Sequence, residues 1–211
     1  MKNSKGMYTA KHIAVISVTV ALLIGGQFAL SFAAGVEIVT LLLCVFSVAY
    51  GIRDGVVAAV AFSLLRCLVF GFAPTVIVLY MIYYPIFAFS VALYGKYLNK
   101  VFQSESTSVP PDGEQENDSV TPIKRAKNGK KVFSVCLLVV ICVAFTAGFT
   151  MLDNVITPLM LGFGENSTRA YFFSSLPTLA THCTCVFVSI SVLFFPVYRV
   201  MISLKRKMFG A

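Results

Sequence analysis

The sequence has no tryptophan, only 12% charged residues, and nine carboxylates against 17 lysines and arginines. A soluble domain of this length carries about a quarter charged residues, so the shortage excludes an ordinary water-soluble globule. Catalytic signatures are missing too. There is no Gly-x-Ser-x-Gly, no His-Glu-x-x-His and no phosphate-binding P-loop. The chain is therefore expected not to be an enzyme, and any ATPase would have to be another chain. The six cysteines, at 44, 67, 136, 142, 183 and 185, show no Cys-x-x-Cys spacing and lie inside apolar runs. They read as small hydrophobes, and neither a metal nor a cofactor is expected.

What fills the space is apolar. Apolar residues make up 58% of the 211, and the mean hydropathy is +0.85. A membrane span takes roughly 20 apolar residues, so the length allows about six helices and one real loop. The expected spans are 12–33, 36–51, 54–72, 75–97, 132–158 and 171–198. The first apolar run, from Ile13, is too long for the core of a signal peptide and ends in no convincing cleavage site. The fold expected is an all-α membrane protein with six transmembrane helices, multi-pass in the cell membrane.

The formal charge of +8 invites a nucleic-acid reading, but its distribution argues against one. With these spans, Lys2, Lys5, Lys11, Arg53, Lys96, Lys100, the Lys124–Lys131 cluster, Arg199 and Lys205–Lys207 share one side. The other side holds Arg169. By the positive-inside rule both termini are cytoplasmic. Residues 1–98 then carry four helices, 99–131 form a cytoplasmic, disordered linker rich in Ser, Pro, Glu and Asp, and 132–211 carry two more helices. All belong to one membrane domain in contact with the lipid bilayer.

Polar residues inside such a chain are costly and mark sites by default. Glu37 sits at the mouth of an apolar segment, Arg66 lies well inside the third span, and Gln27 is near the outer end of the first. Tyr80, Tyr83, Tyr84 and Phe87 recur at i, i+3, i+4 and i+7, giving one aromatic face that is either an interfacial belt or a ligand-stacking wall. Asp153 and Asn154 close the fifth span. Thr178, His182, Cys185 and Ser189 form a polar stripe on the sixth, with His182 either an interhelical partner or a ligand contact. All these residues fall in the outer half, and the inner half is expected to hold almost no ionisable groups. A polar, aromatic cup open to one side suits solute capture better than a channel, which needs a polar path throughout. A pairing of Arg66 with a carboxylate is expected within it. On the first helix, Ser17, Ala21 and Gly25 form a small-residue ridge, suited to packing within the bundle or to docking another subunit.

The chain resembles the membrane-embedded substrate-binding subunit, or S component, of energy-coupling factor transporters, which import vitamins and related micronutrients in prokaryotes. The residues carrying the resemblance are Ala-Leu-Ser-Phe-Ala-Ala-Gly-Val-Glu-Ile-Val-Thr-Leu-Leu at 29–42 and Val-Phe-Gly-Phe-Ala-Pro at 69–74. With them go Ala-Tyr-Phe-Phe-Ser-Ser-Leu-Pro at 170–177, and Phe-Phe-Pro-Val-Tyr-Arg at 194–199. The resemblance implies six helices, cytoplasmic termini and an outward pocket covered by the loop between helices one and two. It also implies a first-helix Ala-x-x-x-Ala docking motif, nearest here to Ser17-x-x-x-Ala21. The implied partners are a small vitamin-like solute, a transmembrane coupling subunit and separate ATPase subunits, with no nucleic acid. Two other readings stay open at this point: a stand-alone facilitator or exporter, and a membrane scaffold without ligand.

Overall fold

A computed structural model describes residues 10–31, 38–103 and 122–210, with side chains over 10–31, 38–100 and 132–210. Glu37 and the 104–121 segment lie outside the described residues. Among the described residues there are six helices: α1 Ala10–Ala29, α2 Val39–Tyr50, α3 Ile52–Phe70, α4 Pro74–Gln103, α5 Pro122–Leu161 and α6 Glu165–Phe209. No strand occurs among the described residues. The helices of α4 and α5 run into both ends of the segment read as a linker from 99 to 131.

Each helix shows which of its faces the fold uses. On α1 the buried positions are Ile16, Thr19, Val20 and Leu23, a single stripe at the helical period. Helix α2 has no such stripe, because from Val39 to Ala49 every residue except Leu42 is buried. It packs against α1, α3, α4 and α6. A helix apolar all round belongs where protein surrounds it, and α2 is the axis of the bundle.

Four helices, α1, α4, α5 and α6, are long and apolar enough to cross a membrane. Large apolar side chains are exposed along them, including Val18 and Leu22 on α1, Ile82, Ile86, Phe89 and Leu93 on α4, and Val188 and Val192 on α6. Apolar surface outside an apolar core suits a membrane helical bundle. The expected spans at 36–51 and 54–72 do not meet the same test. Helix α2 has 12 residues, about 18 Å at 1.5 Å per residue against a hydrocarbon core of about 30 Å. Helix α3 has 19 residues but carries Arg53, Asp54 and Arg66.

The chain runs up and down, so the bundle has two ends. At the terminal end, the start of α1 meets the end of α6: the Lys11 Nζ donates to the Met208 carbonyl at 2.7 Å. The α2–α3 turn lies at this end, and Gly51 makes it with a φ of 97°, a conformation costly for residues with a Cβ. At the distal end, Gly162 stops α5 in the left-handed region. The Phe163 N–H there reaches back to the Pro158 carbonyl at 3.0 Å, which caps the helix with a Schellman-type bond.

Close helix approach around α2 depends on two further glycines. A Cβ on Gly55 would lie 2.7 Å from the Ser47 Oγ, and one on Gly95 would lie 2.9 Å from the Val48 Cα. Small residues let α3 and α4 reach the α2 backbone. Three buried hydroxyls are satisfied locally: Thr19 donates to Val15, Ser63 to Ala59 and Thr146 to Cys142, each to the carbonyl four residues back.

Candidate functional site

The sequence-predicted polar residues fall into two groups at the distal end, joined by aromatic rings. The first group lies where α1, α3 and α4 meet. Arg66 begins about 21 Å along α3 from Ile52, and its guanidinium carbon lies 4.1 Å from the centre of the Tyr80 ring and 5.2 Å from that of Phe70. The expected partner was a carboxylate. Among the described residues Arg66 makes no ion pair, and the face of Tyr80 supplies the negative potential. Its Nε is buried without a hydrogen-bond partner. Gln27 donates from Nε2 to the Tyr80 hydroxyl across 3.4 Å, and its Oε1 is likewise buried and unpartnered.

The second group lies between α5 and α6. The Asp153 carboxylate accepts from the Thr157 hydroxyl and the Tyr171 hydroxyl, both at 2.7 Å. Asn154 donates from Nδ2 to the Ser175 Oγ at 2.8 Å, while the Ser175 hydroxyl donates to the Phe172 carbonyl. The Asn154 Oδ1 is buried with no partner. Asp153, Tyr171, Ser174, Ser175, Thr178 and His182 line a cleft of about 240 Å³, together with Phe149 and Thr150. Half-buried His182 therefore faces this cleft.

Phe149 ties the two groups together. It lines the α5–α6 cleft and stacks edge-on against Tyr83, with centroids 4.7 Å apart, and against Tyr80 at 5.6 Å. Tyr80, Tyr83 and Tyr84 are all buried. They belong to a packed aromatic layer with Phe62, Phe87 and Phe145, so the belt reading gives way to a wall inside the protein. The arrangement suits binding. Each Asp153 oxygen has a lone pair beyond the hydrogen bond it already accepts, and the Arg66 region offers both a buried donor and a buried acceptor.

The small-residue ridge takes a different face. Ser17, Ala21 and Gly25 are exposed and line a groove of about 490 Å³ whose other wall is Ala61 and Leu65 of α3. A Cβ at Gly25 would meet nothing within 4 Å.

The sequence placed basic residues at the terminal end but did not disclose the polar contacts made there. His12 Nδ1 and Asp54 Oδ2 lie 3.0 Å apart, with Asp54 buried. Lys205 donates to the Ala49 carbonyl, and Asn99 donates to the Val48 carbonyl while accepting from the Tyr198 hydroxyl. The partners are 42 to 156 residues apart, so no local pattern announces them. The one available signal was Asp54 itself, a carboxylate at the start of an apolar helix. Among the described residues no group of three or more His, Cys, Asp or Glu gathers as a metal site. Comparison with known proteins places the chain beside none of them: no protein-family model, no curated protein and no solved structure matches it.

Proposed function

We propose that this chain is the membrane-embedded capture subunit of an ATP-driven importer of the energy-coupling factor type, binding a small vitamin-like solute at its distal end. The observation that carries the reading is the pair of orphaned polar atoms beside Tyr80. Gln27 Oε1 and Arg66 Nε are buried without partners among the described residues. Each such atom costs about 1–3 kcal/mol, a cost that a hydrogen-bonding ligand offsets. Gln27 belongs to α1 and Arg66 to α3. Asp153 and His182, across Phe149, supply further polar contacts for the same solute.

In this reading all six helices sit in the membrane, with α2 sheltered by its neighbours and both termini cytoplasmic. The energy comes from other chains, because the sequence has no nucleotide-binding motif. The exposed Ser17, Ala21 and Gly25 ridge is the docking face for the coupling subunit. Small residues matter there because dispersion contacts between helices need close approach.

One pair of substitutions tests the division of labour. Ala21→Trp should abolish uptake and assembly with the coupling and ATPase subunits while leaving solute affinity of the isolated chain intact. Arg66→Ala should do the opposite, weakening affinity with assembly intact. Loss of solute binding in Ala21→Trp together with a normal complex would refute the assignment of the two faces.

A further inference from the structure

A second groove, away from the docking ridge, runs along the seam of α1 and α6. The two helices touch at the terminal end, where Lys11 bonds the Met208 carbonyl and the His12 and Phe209 rings are 4.5 Å apart. Beyond that contact a gap of about 210 Å³ opens. Ala14, Val18 and Leu22 of α1 form one wall and Leu204 and Met208 of α6 the other, with Tyr50 between them. The lining hydroxyl of Thr19 is already spent on its own helix at the Val15 carbonyl. The walls are therefore apolar. Water has too few partners there, and an empty gap forfeits dispersion contacts along both helices.

The mouth of this groove is cationic. Lys11 uses one ammonium donor on Met208, and Lys205 uses one on the Ala49 carbonyl. Each ammonium has three donors, so two remain on each. Neither lysine makes an ion pair among the described residues. The Lys205 Nζ also lies 5.7 Å from the centre of the Tyr50 ring, directly beside the groove lining. The neighbouring carboxylate, Asp54, is buried and engaged by His12 at 3.0 Å.

We propose that the α1–α6 groove seats an anionic phospholipid, with one acyl chain in the gap and the phosphate on Lys11 and Lys205. Apolar walls below paired cations match the two parts of such a lipid, and basic pockets between membrane helices hold anionic headgroups in this way. The stretch from Ala14 to Leu22 is about 12 Å long, which suits part of an extended chain. The site depends on the chain being a membrane bundle and is independent of solute capture.

The test uses the full chain in detergent, titrated with phosphatidylglycerol or phosphatidylcholine. Retained lipid is counted by native mass spectrometry and the melting temperature is followed in parallel. Phosphatidylglycerol should be retained in preference, and Lys11→Gln with Lys205→Gln should cut that preference by about 25-fold, two cations at roughly fivefold each. Lys11→Arg with Lys205→Arg should keep it. Val18→Trp, at an exposed position that folding tolerates, should expel the acyl chain and lower retention of both lipids. Equal retention of the two lipids overturns the proposal. So does an unchanged preference in the double Gln variant, or a melting shift reproduced by inorganic phosphate alone. Val18→Trp breaking a protein complex with lipid retention unchanged would assign the groove to a protein partner and overturn it as well.

Discussion

The Arg66 guanidinium lies over Tyr80 with its central carbon 4.1 Å from the ring centre, on a helix that turns back through Gly71 into α4. A cation at this depth needs a counter-field, and among the described residues a ring face supplies it. Such contacts contribute about 0.5–2 kcal/mol depending on desolvation.

Tyr80→Phe and Tyr80→Leu separate ring from hydroxyl. Tyr80→Phe keeps the ring under Arg66 and loses the long bond from Gln27, so it should cost less than about 1 kcal/mol. Tyr80→Leu also forfeits the cation–π contact and the stacking with Phe149 and Tyr84, and should cost about 2–4 kcal/mol. Thermal unfolding in detergent reads both. Equal losses would mean that the hydroxyl, not the ring, holds Arg66 in place.

Glycines at two positions should respond in opposite directions. Gly95→Ala drives a Cβ to 2.9 Å from the Val48 Cα, which a backbone atom cannot readily yield to, and overpacking of this kind costs about 1–3 kcal/mol. Gly25→Ala meets nothing within 4 Å and gains up to about 1 kcal/mol of helix propensity. Unfolding midpoints of the two variants check the contrast. A destabilised Gly25→Ala would place that ridge inside the bundle.

These glycines also mark the limits of what the sequence could show. Gly51 makes the turn whereas Gly55 lies inside α3, and no local pattern signals that Gly55 and Gly95 are where α3 and α4 touch the α2 backbone, since such contacts join distant segments. Six helices were readable from apolar runs bounded by Gly51, Gly71–Pro74 and Gly162–Gly164. The shortness of α2 was not, because an apolar run looks alike whether lipid or protein surrounds it. For the site, residue types and helix direction put Arg66, Tyr80, Asp153 and His182 at one end. They could not show that the Tyr80 face lies against Arg66, since that contact depends on the α3–α4 register. The His12–Asp54 contact stayed hidden because its members stand 42 positions apart.

His12→Ala should loosen α1. It strips the Asp54 carboxylate, buried at the α2–α3 turn, of its partner 3.0 Å away. An abandoned buried acceptor costs about 1–3 kcal/mol or more when charged. Hydrogen exchange in the first two turns of α1 and around Gly51 should accelerate, with the α5–α6 pair unaffected. Uniform acceleration across all helices would show that the contact stabilises the whole bundle instead of one seam.

Tyr171→Phe removes one of the two hydroxyls that hold the Asp153 carboxylate. It should cost about 0.5–1.5 kcal/mol of stability and leave Asp153 freer to turn within the α5–α6 cleft. Melting temperature measures the first effect. An unchanged melting temperature would show that water replaces the hydroxyl at no cost.

Solute capture at the distal end is tested most directly by the small molecules that leave the purified chain on denaturation, identified and counted by mass spectrometry. The account predicts one polar compound in near-stoichiometric amount from the wild type. The same compound should come from Ala21→Trp, and it should be strongly depleted in Arg66→Ala and Asp153→Ala variants that remain folded. Recovery of no such compound, or equal recovery from the folded Arg66→Ala and Asp153→Ala variants, would contradict it.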